Sequence, residues 1–194
     1  MRICLLLAVM LAGLTTLSDK AHASHIYLLK GLANIFSTGL DVLDEELTRR
    51  GYSATVHSYT DYESLAADAA ALERAGKGPI IIMGHSLGAD AAIYMAEKMN
   101  QLHAPVALVV CFGPTHDLAA PPNVSQVINY YTGGAVVSRG PGFGGSLSNV
   151  DFDKTPGINH LNIEKNEHLH NLVIARVQGI VGHAKAAAAP APAQ

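Results

Sequence analysis

Residues 79–88 read PIIIMGHSLG, an apolar run followed at once by a Gly-x-Ser-x-Gly pattern. The run 79–83 is typical of a strand buried on both faces, and a helix is predicted to begin at Leu87. A serine between such a strand and helix lies on a very sharp turn that strains its backbone. Glycines two positions before and after it remove the Cβ atoms that would clash. The pattern therefore predicts that Ser86 projects its hydroxyl above the edge of a sheet.

Strands and helices alternate on both sides of this stretch. The predicted strands are 25–29, 54–58, 79–83, 104–112, 124–131 and 146–152, and the predicted helices are 39–50, 61–75, 87–101 and 164–181. This alternation predicts an α/β domain with a mostly parallel sheet of about six strands and helices on both faces. Functional groups in such a sheet lie at the carboxyl ends of the strands.

A serine nucleophile needs a base, and His160 has the position expected of one. It lies in the loop 157–162, between the last predicted strand and the last predicted helix. Serine hydrolases built on a parallel sheet have the chain order Ser, acid, His, which His160 satisfies. The other histidines are placed less well: His85 supports the turn, His168 and His170 fall in the final helix, and His103 and His116 have no comparable position.

The acid of a Ser-His-Asp triad has two main candidates. Asp117 follows the fourth predicted strand, and Asp151 ends the sixth, shortly before His160; Asp153 is a weaker third. Each would reach the imidazole from the carboxyl edge of the sheet. Each is equally compatible with a loop aspartate that binds backbone N–H groups.

Two backbone N–H groups are expected to form an oxyanion hole. One is that of Leu87, the residue after the nucleophile, at the N-terminus of the predicted helix. The other should come from the loop after the first strand, which reads KGLAN at residues 30–34. Leu32 is the first candidate there, and Ala33 the next.

Several segments together carry a family resemblance. GHSLG after an apolar strand, KGLANIFSTGLD, PPNVSQVINYY, GPGFGGSLSNVD and GINHLNIEKNEHLHNLVI resemble the small thioesterase-like or lipase-like α/β-hydrolases of Gram-negative bacteria. The resemblance implies a compact α/β-hydrolase fold with Ser86 as nucleophile and His160 as base. The family pattern has an Asp-Pro pair after the fourth strand, where this chain has Gly113-Pro114. The connection 113–123 has only about ten residues, so no lid domain and an open, shallow site are expected.

These features predict hydrolysis of a carboxylic ester or thioester through an acyl-enzyme. Transfer of the acyl group to an alcohol or amine uses the same residues, so an acyltransferase is the alternative. A non-catalytic exported binding protein on the same fold is a third hypothesis, and a tight Gly-Ser turn without chemistry is the simplest explanation of the motif. No cofactor or metal site is predicted, because neither His-Glu-x-x-His nor paired Cys-x-x-Cys occurs.

The composition and the two ends of the chain limit the number of domains, the kinds of partner and the localisation that can be expected. The 194 residues are 49% hydrophobic with a net charge of −3, which fits one folded domain and indicates neither a nucleic-acid partner nor a strongly anionic surface. Residues 1–23 resemble a signal peptide cleaved after Ala23, which predicts a periplasmic or secreted domain at 24–183 without a membrane span. Residues 184–194, rich in Ala and Pro, are predicted to be a disordered tail. Cleavage would remove Cys4 and leave Cys111 as an unpaired core cysteine.

Overall fold

The computed structural model describes residues 24–32 and 37–188. The predicted signal peptide, its cleavage after Ala23 and the last part of the predicted tail lie outside these residues. The strands are β1 His25–Lys30, β2 Ser53–Ser58, β3 Ile80–His85, β4 Leu108–Phe112, β5 Leu118–Ala120, β6 Gln126–Tyr131, β7 Val137–Arg139 and β8 Ser146–Asp151. The α-helices are α1 Thr38–Arg49, α2 Tyr62–Arg74, α3 Leu87–Gln101 and α4 Glu167–Ala188.

Six strands form one parallel sheet in the order β2-β1-β3-β4-β6-β8. The strand β3 lies near the centre, and all six of its residues are buried. Because helices cover both faces of the sheet, a central strand has no exposed face, and β3 is apolar up to His85 at its end. The predicted mostly parallel sheet of about six strands is confirmed. The carboxyl ends of β1, β3 and β4 consequently meet at one edge.

The side chains of each strand alternate between two apolar cores. One core joins Leu29, Ile82 and Cys111 to α2 and α3. The other joins Leu28, Met83 and Phe112 to α1 and α4. By the same alternation His85 lies on the α1 and α4 face of the sheet.

The segments between the last sheet strands contain structure that the sequence pattern did not predict. The strands β5 and β7 pair in parallel as a separate two-stranded sheet, inside segments predicted to be loops. Each has three residues, which is too short for an alternating pattern to be recognised. The connection between β4 and β6 holds only β5, and no lid domain is present among the described residues.

The helix α4 is longer than predicted. It runs to Ala188, past the expected end near residue 181 and into the segment predicted to be a tail. Alanine has the highest helix propensity, so the Ala-rich run extends the helix before Pro190. Within the described part of the chain, no helix combines the length and the apolar character needed to cross a membrane.

Candidate active site

The backbone at Ser86 makes the sharp turn expected between β3 and α3. Ser86 has φ 59° and ψ −127°, a conformation that L-residues rarely adopt. A Cβ at Gly84 would collide with the backbone of Gly88, and a Cβ at Gly88 would collide with the carbonyl of Leu29. Both glycines of the motif are therefore required by close backbone approach. The amide of Ser86 donates to the carbonyl oxygen of Phe112 at 3.0 Å, which fixes the turn to β4.

The turn brings Ser86 to His160. The Nε2 atom of His160 lies 3.0 Å from the Oγ atom of Ser86, although the two residues are 74 positions apart in the chain. Both side chains are half-buried. This distance lies within the range over which an imidazole removes a hydroxyl proton, about 2.6–3.2 Å. The two groups have the geometry of a nucleophile and its base.

Two asparagines hold the loop that carries His160. The amide of Asn159 donates to Oδ1 of Asn162 at 2.8 Å, and the amide of Leu161 donates to Oδ1 of Asn159 at 2.9 Å. The side-chain amide of Asn162 also donates to the carbonyl of Gly157 at 2.9 Å. These bonds clamp the backbone on both sides of His160. The imidazole is thus placed by a tight turn of hydrogen-bonding side chains.

The second ring nitrogen of His160 faces Gly113. A Cβ built on Gly113 would lie only 2.9 Å from Nδ1, so glycine is the residue that admits the ring here. Gly113 has φ +58°, in the left-handed region that favours glycine. Among the described residues, no Asp or Glu side chain hydrogen-bonds or ion-pairs with His160.

The candidate acids of the triad bind elsewhere. Oδ1 of Asp117 accepts a hydrogen bond from the amide of Val136 at 3.0 Å, next to the β5–β7 sheet. Oδ1 of Asp151 accepts from the amide of Asp153 at 2.8 Å, and Asp153 itself accepts from the amide of Gly133. The structure does not bring any of the three to His160. Their carboxylates bind loop backbone, as the simpler explanation of a loop aspartate requires.

The oxyanion-hole candidates lie at the same edge of the sheet. Leu87 is the first residue of α3, so its N–H is among those that have no partner within the helix. Gly31 packs against the turn, with a Cβ there 2.9 Å from the carbonyl oxygen of His85 and 3.4 Å from the amide nitrogen of Leu87. Leu32 follows Gly31 and is 62% exposed. The other candidate, Ala33, lies outside the described residues.

Buried His85 connects the two loops beside the turn. Its Nδ1 lies 2.8 Å from Oγ of Ser37, which accepts the amide of Gly31 at 3.2 Å. Its Nε2 donates to the carbonyl oxygen of His160 at 2.8 Å. The Ser37 hydroxyl must therefore donate to Nδ1 of a neutral ring. Burial lowers the pKa of His85 to about 4, which keeps the ring neutral near pH 7.

Below His85 lies a fully buried acid, Glu164. Its Oε2 is 3.7 Å from Nε2 of His85, and neither carboxyl oxygen has a hydrogen-bond partner among the described residues. Burial raises the pKa of Glu164 to about 7. Between about pH 4 and pH 7 both groups are mostly neutral, so this contact is not an ion pair over that range.

The sequence pattern did not identify two further polar clusters at this edge. One is the connection of Ser37, His85 and Glu164, whose members are far apart in the chain. The other joins Asp90 to His116, because Asp90 accepts a hydrogen bond from Nδ1 of His116 at 2.7 Å. The histidine of the GHSLG motif was the one sequence signal for the cluster around His85. Nothing in the spacing of residues along the sequence indicated the contact between Asp90 and His116. The described residues contain no group of three potential metal ligands.

Comparison with known proteins gives the fold. Neither a protein-family model nor a curated protein matches the chain. The structure is similar to a protein of unknown function from Agrobacterium tumefaciens, proposed to be an α/β-hydrolase, with a TM-score of 0.55 and 14% identity over 90% of this chain and 91% of that one. A proposed hydrolase of the α/β superfamily from Xanthomonas campestris pv. campestris gives a TM-score of 0.46 and 15% identity over 80% of this chain and 98% of that one. With its six-stranded parallel sheet, the chain has the α/β-hydrolase fold.

Proposed function

We propose that this chain is a serine hydrolase that cleaves carboxylic esters or thioesters with a Ser86–His160 dyad. The observation that carries the proposal is the 3.0 Å contact between Nε2 of His160 and the hydroxyl of Ser86 on its strained turn. The proposal replaces the predicted triad by two residues, because neither Asp117 nor Asp151 binds the imidazole.

The reaction follows from the positions of these groups. Ser86 attacks the acyl carbon while His160 takes the hydroxyl proton, and the imidazolium then returns that proton to the leaving alcohol or thiol. The N–H of Leu87 would stabilise the oxyanion, with that of Leu32 as its proposed partner. Water hydrolyses the resulting acyl-Ser86, and His160 is again the base.

The environment of Nδ1 affects the expected rate. In an established triad, replacing the aspartate by asparagine lowers kcat by about 10⁴, largely through the wrong imidazole tautomer. No carboxylate of the described residues selects the tautomer with the proton on Nδ1. We therefore expect slow turnover, and a covalent probe is a better first assay than turnover.

A fluorophosphonate probe tests the proposal directly. The wild type should take up one adduct, mapped by peptide mass spectrometry to Ser86, and Ser86→Ala should take up none. His160→Ala should label at least about 10²-fold more slowly, the usual contribution of a general base. Ser64→Ala, which alters an exposed serine of α2, is the matched control and should label like the wild type.

The same experiment separates the alternatives. A folded wild type that does not label contradicts the proposal and favours the non-catalytic binding protein. If the wild type labels, a separate unlabelled sample is assayed on 4-nitrophenyl butyrate and on the corresponding thioester, in the presence and absence of glycerol. Acyl-glycerol as the main product would favour an acyltransferase, whereas free butyrate is the expected result.

A further inference from the structure

A second histidine lies at the same edge of the sheet, held by a buried carboxylate. The side chain of Asp90, in the first turn of α3, is 3% exposed. Its Oδ1 accepts the amide of Thr115 at 2.8 Å, and its Oδ2 accepts both the Thr115 hydroxyl and Nδ1 of His116. The His116 side chain, by contrast, is 67% exposed.

This arrangement fixes the chemistry of the His116 ring. A carboxylate only accepts hydrogen bonds, so Nδ1 of His116 must carry the proton that it shares with Asp90. In the neutral ring Nε2 is then a hydrogen-bond acceptor. The carboxylate selects the tautomer of His116, whereas within residues 24–32 and 37–188 no carboxylate does so for His160. The buried charge of Asp90 needs hydrogen-bond donors. The two bonds from Thr115 already attach the loop after β4 to α3, so His116 is not needed for that attachment.

The position of His116 relative to Ser86 follows from the chain. Asp90 lies one helical turn after Ser86 and donates its amide to the Ser86 carbonyl at 3.3 Å. The loop after β4 touches His160 at Gly113 and reaches His116 three residues later, a span of at most about 10 Å. His160 is therefore reached from the α4 side of the sheet, and His116 from the α3 side. Ser86, at the start of α3, contacts both His160 and Asp90.

We propose that Nε2 of His116 accepts a hydrogen bond from a hydroxyl on the acyl half of the substrate, so that hydroxyacyl esters are the preferred class. The inference rests on the proposed function. The leaving group must lie near His160, which returns the proton to it, so the acyl half extends to the other side of Ser86. All three hydrogen bonds to Asp90 come from the protein, and Nε2 of His116 is an acceptor of the cluster that has no hydrogen-bond partner in the part of the chain that the structure describes.

Paired substrates test this inference. The 4-nitrophenyl esters of butyrate, 2-hydroxybutyrate and 3-hydroxybutyrate differ only by the hydroxyl. At pH 8.5 the wild type should prefer one hydroxyacyl ester over butyrate in kcat/KM by roughly 2- to 12-fold. His116→Phe should remove the preference and leave the rate on butyrate within about twofold.

Two further variants test whether the effect is specific to His116 and to its tautomer. His168→Phe makes the same change at an exposed position of α4 and should retain the preference. Asp90→Asn keeps the size of the side chain but no longer fixes the proton of His116 on Nδ1. It should therefore reduce the preference for the hydroxyacyl ester without loss of butyrate hydrolysis. Circular dichroism and a melting curve establish that each variant is folded.

The outcomes distinguish this inference from the proposed function. Hydrolysis of all three esters with no hydroxyl preference, or an equal loss on all of them in His116→Phe, overturns the role of His116 and leaves the Ser86 dyad intact. Absence of fluorophosphonate labelling at Ser86 overturns both. A preference that His168→Phe also removes would likewise count against His116.

Discussion

Gly113 offers the most direct test of how His160 is placed. Replacing it by alanine adds one methyl group, whose carbon would lie 2.9 Å from Nδ1 of the imidazole. Ordinary contacts of this kind begin at 3.4 Å, so the ring must move by about 0.5 Å or the backbone must shift. Either movement lengthens the 3.0 Å contact between Nε2 and Ser86. A misplacement of about 1 Å costs about 10²-fold in rate, so we expect at least a tenfold loss here.

The change also has a cost in stability, which a control must match. Alanine in the left-handed region costs about 1–2 kcal/mol whatever its surroundings. Gly133 has φ +79° and no atom within 4 Å of a Cβ built on it, so Gly133→Ala carries the same backbone cost without a contact to His160. In urea unfolding Gly133→Ala should lose about 1–2 kcal/mol, and Gly113→Ala should lose at least as much because its methyl group also displaces the ring or the backbone.

The assay is the rate constant of fluorophosphonate labelling, measured at a temperature where both variants are folded. Gly113→Ala should label at least tenfold more slowly than Gly133→Ala, which should label like the wild type. If the two variants label at rates within twofold of each other, Gly113 does not position the imidazole, and the argument from close approach is wrong.

Two further predictions follow from buried groups. Burial raises the pKa of Glu164 from 4.5 to about 7, so the folded state holds a proton that the unfolded state releases, and this stabilisation is complete below pH 4.5 and lost as the pH rises through 7. Glu164→Gln should therefore gain roughly 2–3 kcal/mol relative to the wild type between pH 4.5 and pH 8 in urea unfolding, while a constant difference would contradict the buried acid. Burial raises the pKa of the Cys111 thiol, which is 0% exposed, so peptide mapping after iodoacetamide treatment at pH 8 should find Cys111 modified only in urea. Modification of Cys111 in the native protein would contradict its place in the core.

The fold could be predicted from sequence because its signals are local. The apolar run before Gly84 and the regular spacing of leucines in α1 each depend on residues close together in the chain. The strands β5 and β7 could not be predicted, because three residues carry no periodicity and their pairing is set by the fold around them. The helix α4 ends later than predicted because the alanines come before the prolines in the chain and extend the helix.

The site was predictable only in part, for a related reason. The Gly-x-Ser-x-Gly turn is a local constraint on the backbone, and the glycine clashes bear out its physical basis. The surroundings of His160 are not local, since Gly113 and His85 approach it from other strands. A search for an acidic residue in the sequence cannot detect that glycine occupies the place beside the imidazole. The contact between Asp90 and His116 is hidden in the same way.

The hydrogen bonds of His85 have a consequence for the order of folding. They join Ser37, the end of β3 and the backbone of His160, segments that come together only when β1, β3 and the chain leading to α4 are in place. Contacts of such large sequence separation form late, because loop closure must come first. Covalent reactivity of Ser86 during refolding would therefore report completion of the native state, and should appear after most of the circular dichroism signal of the helices has returned.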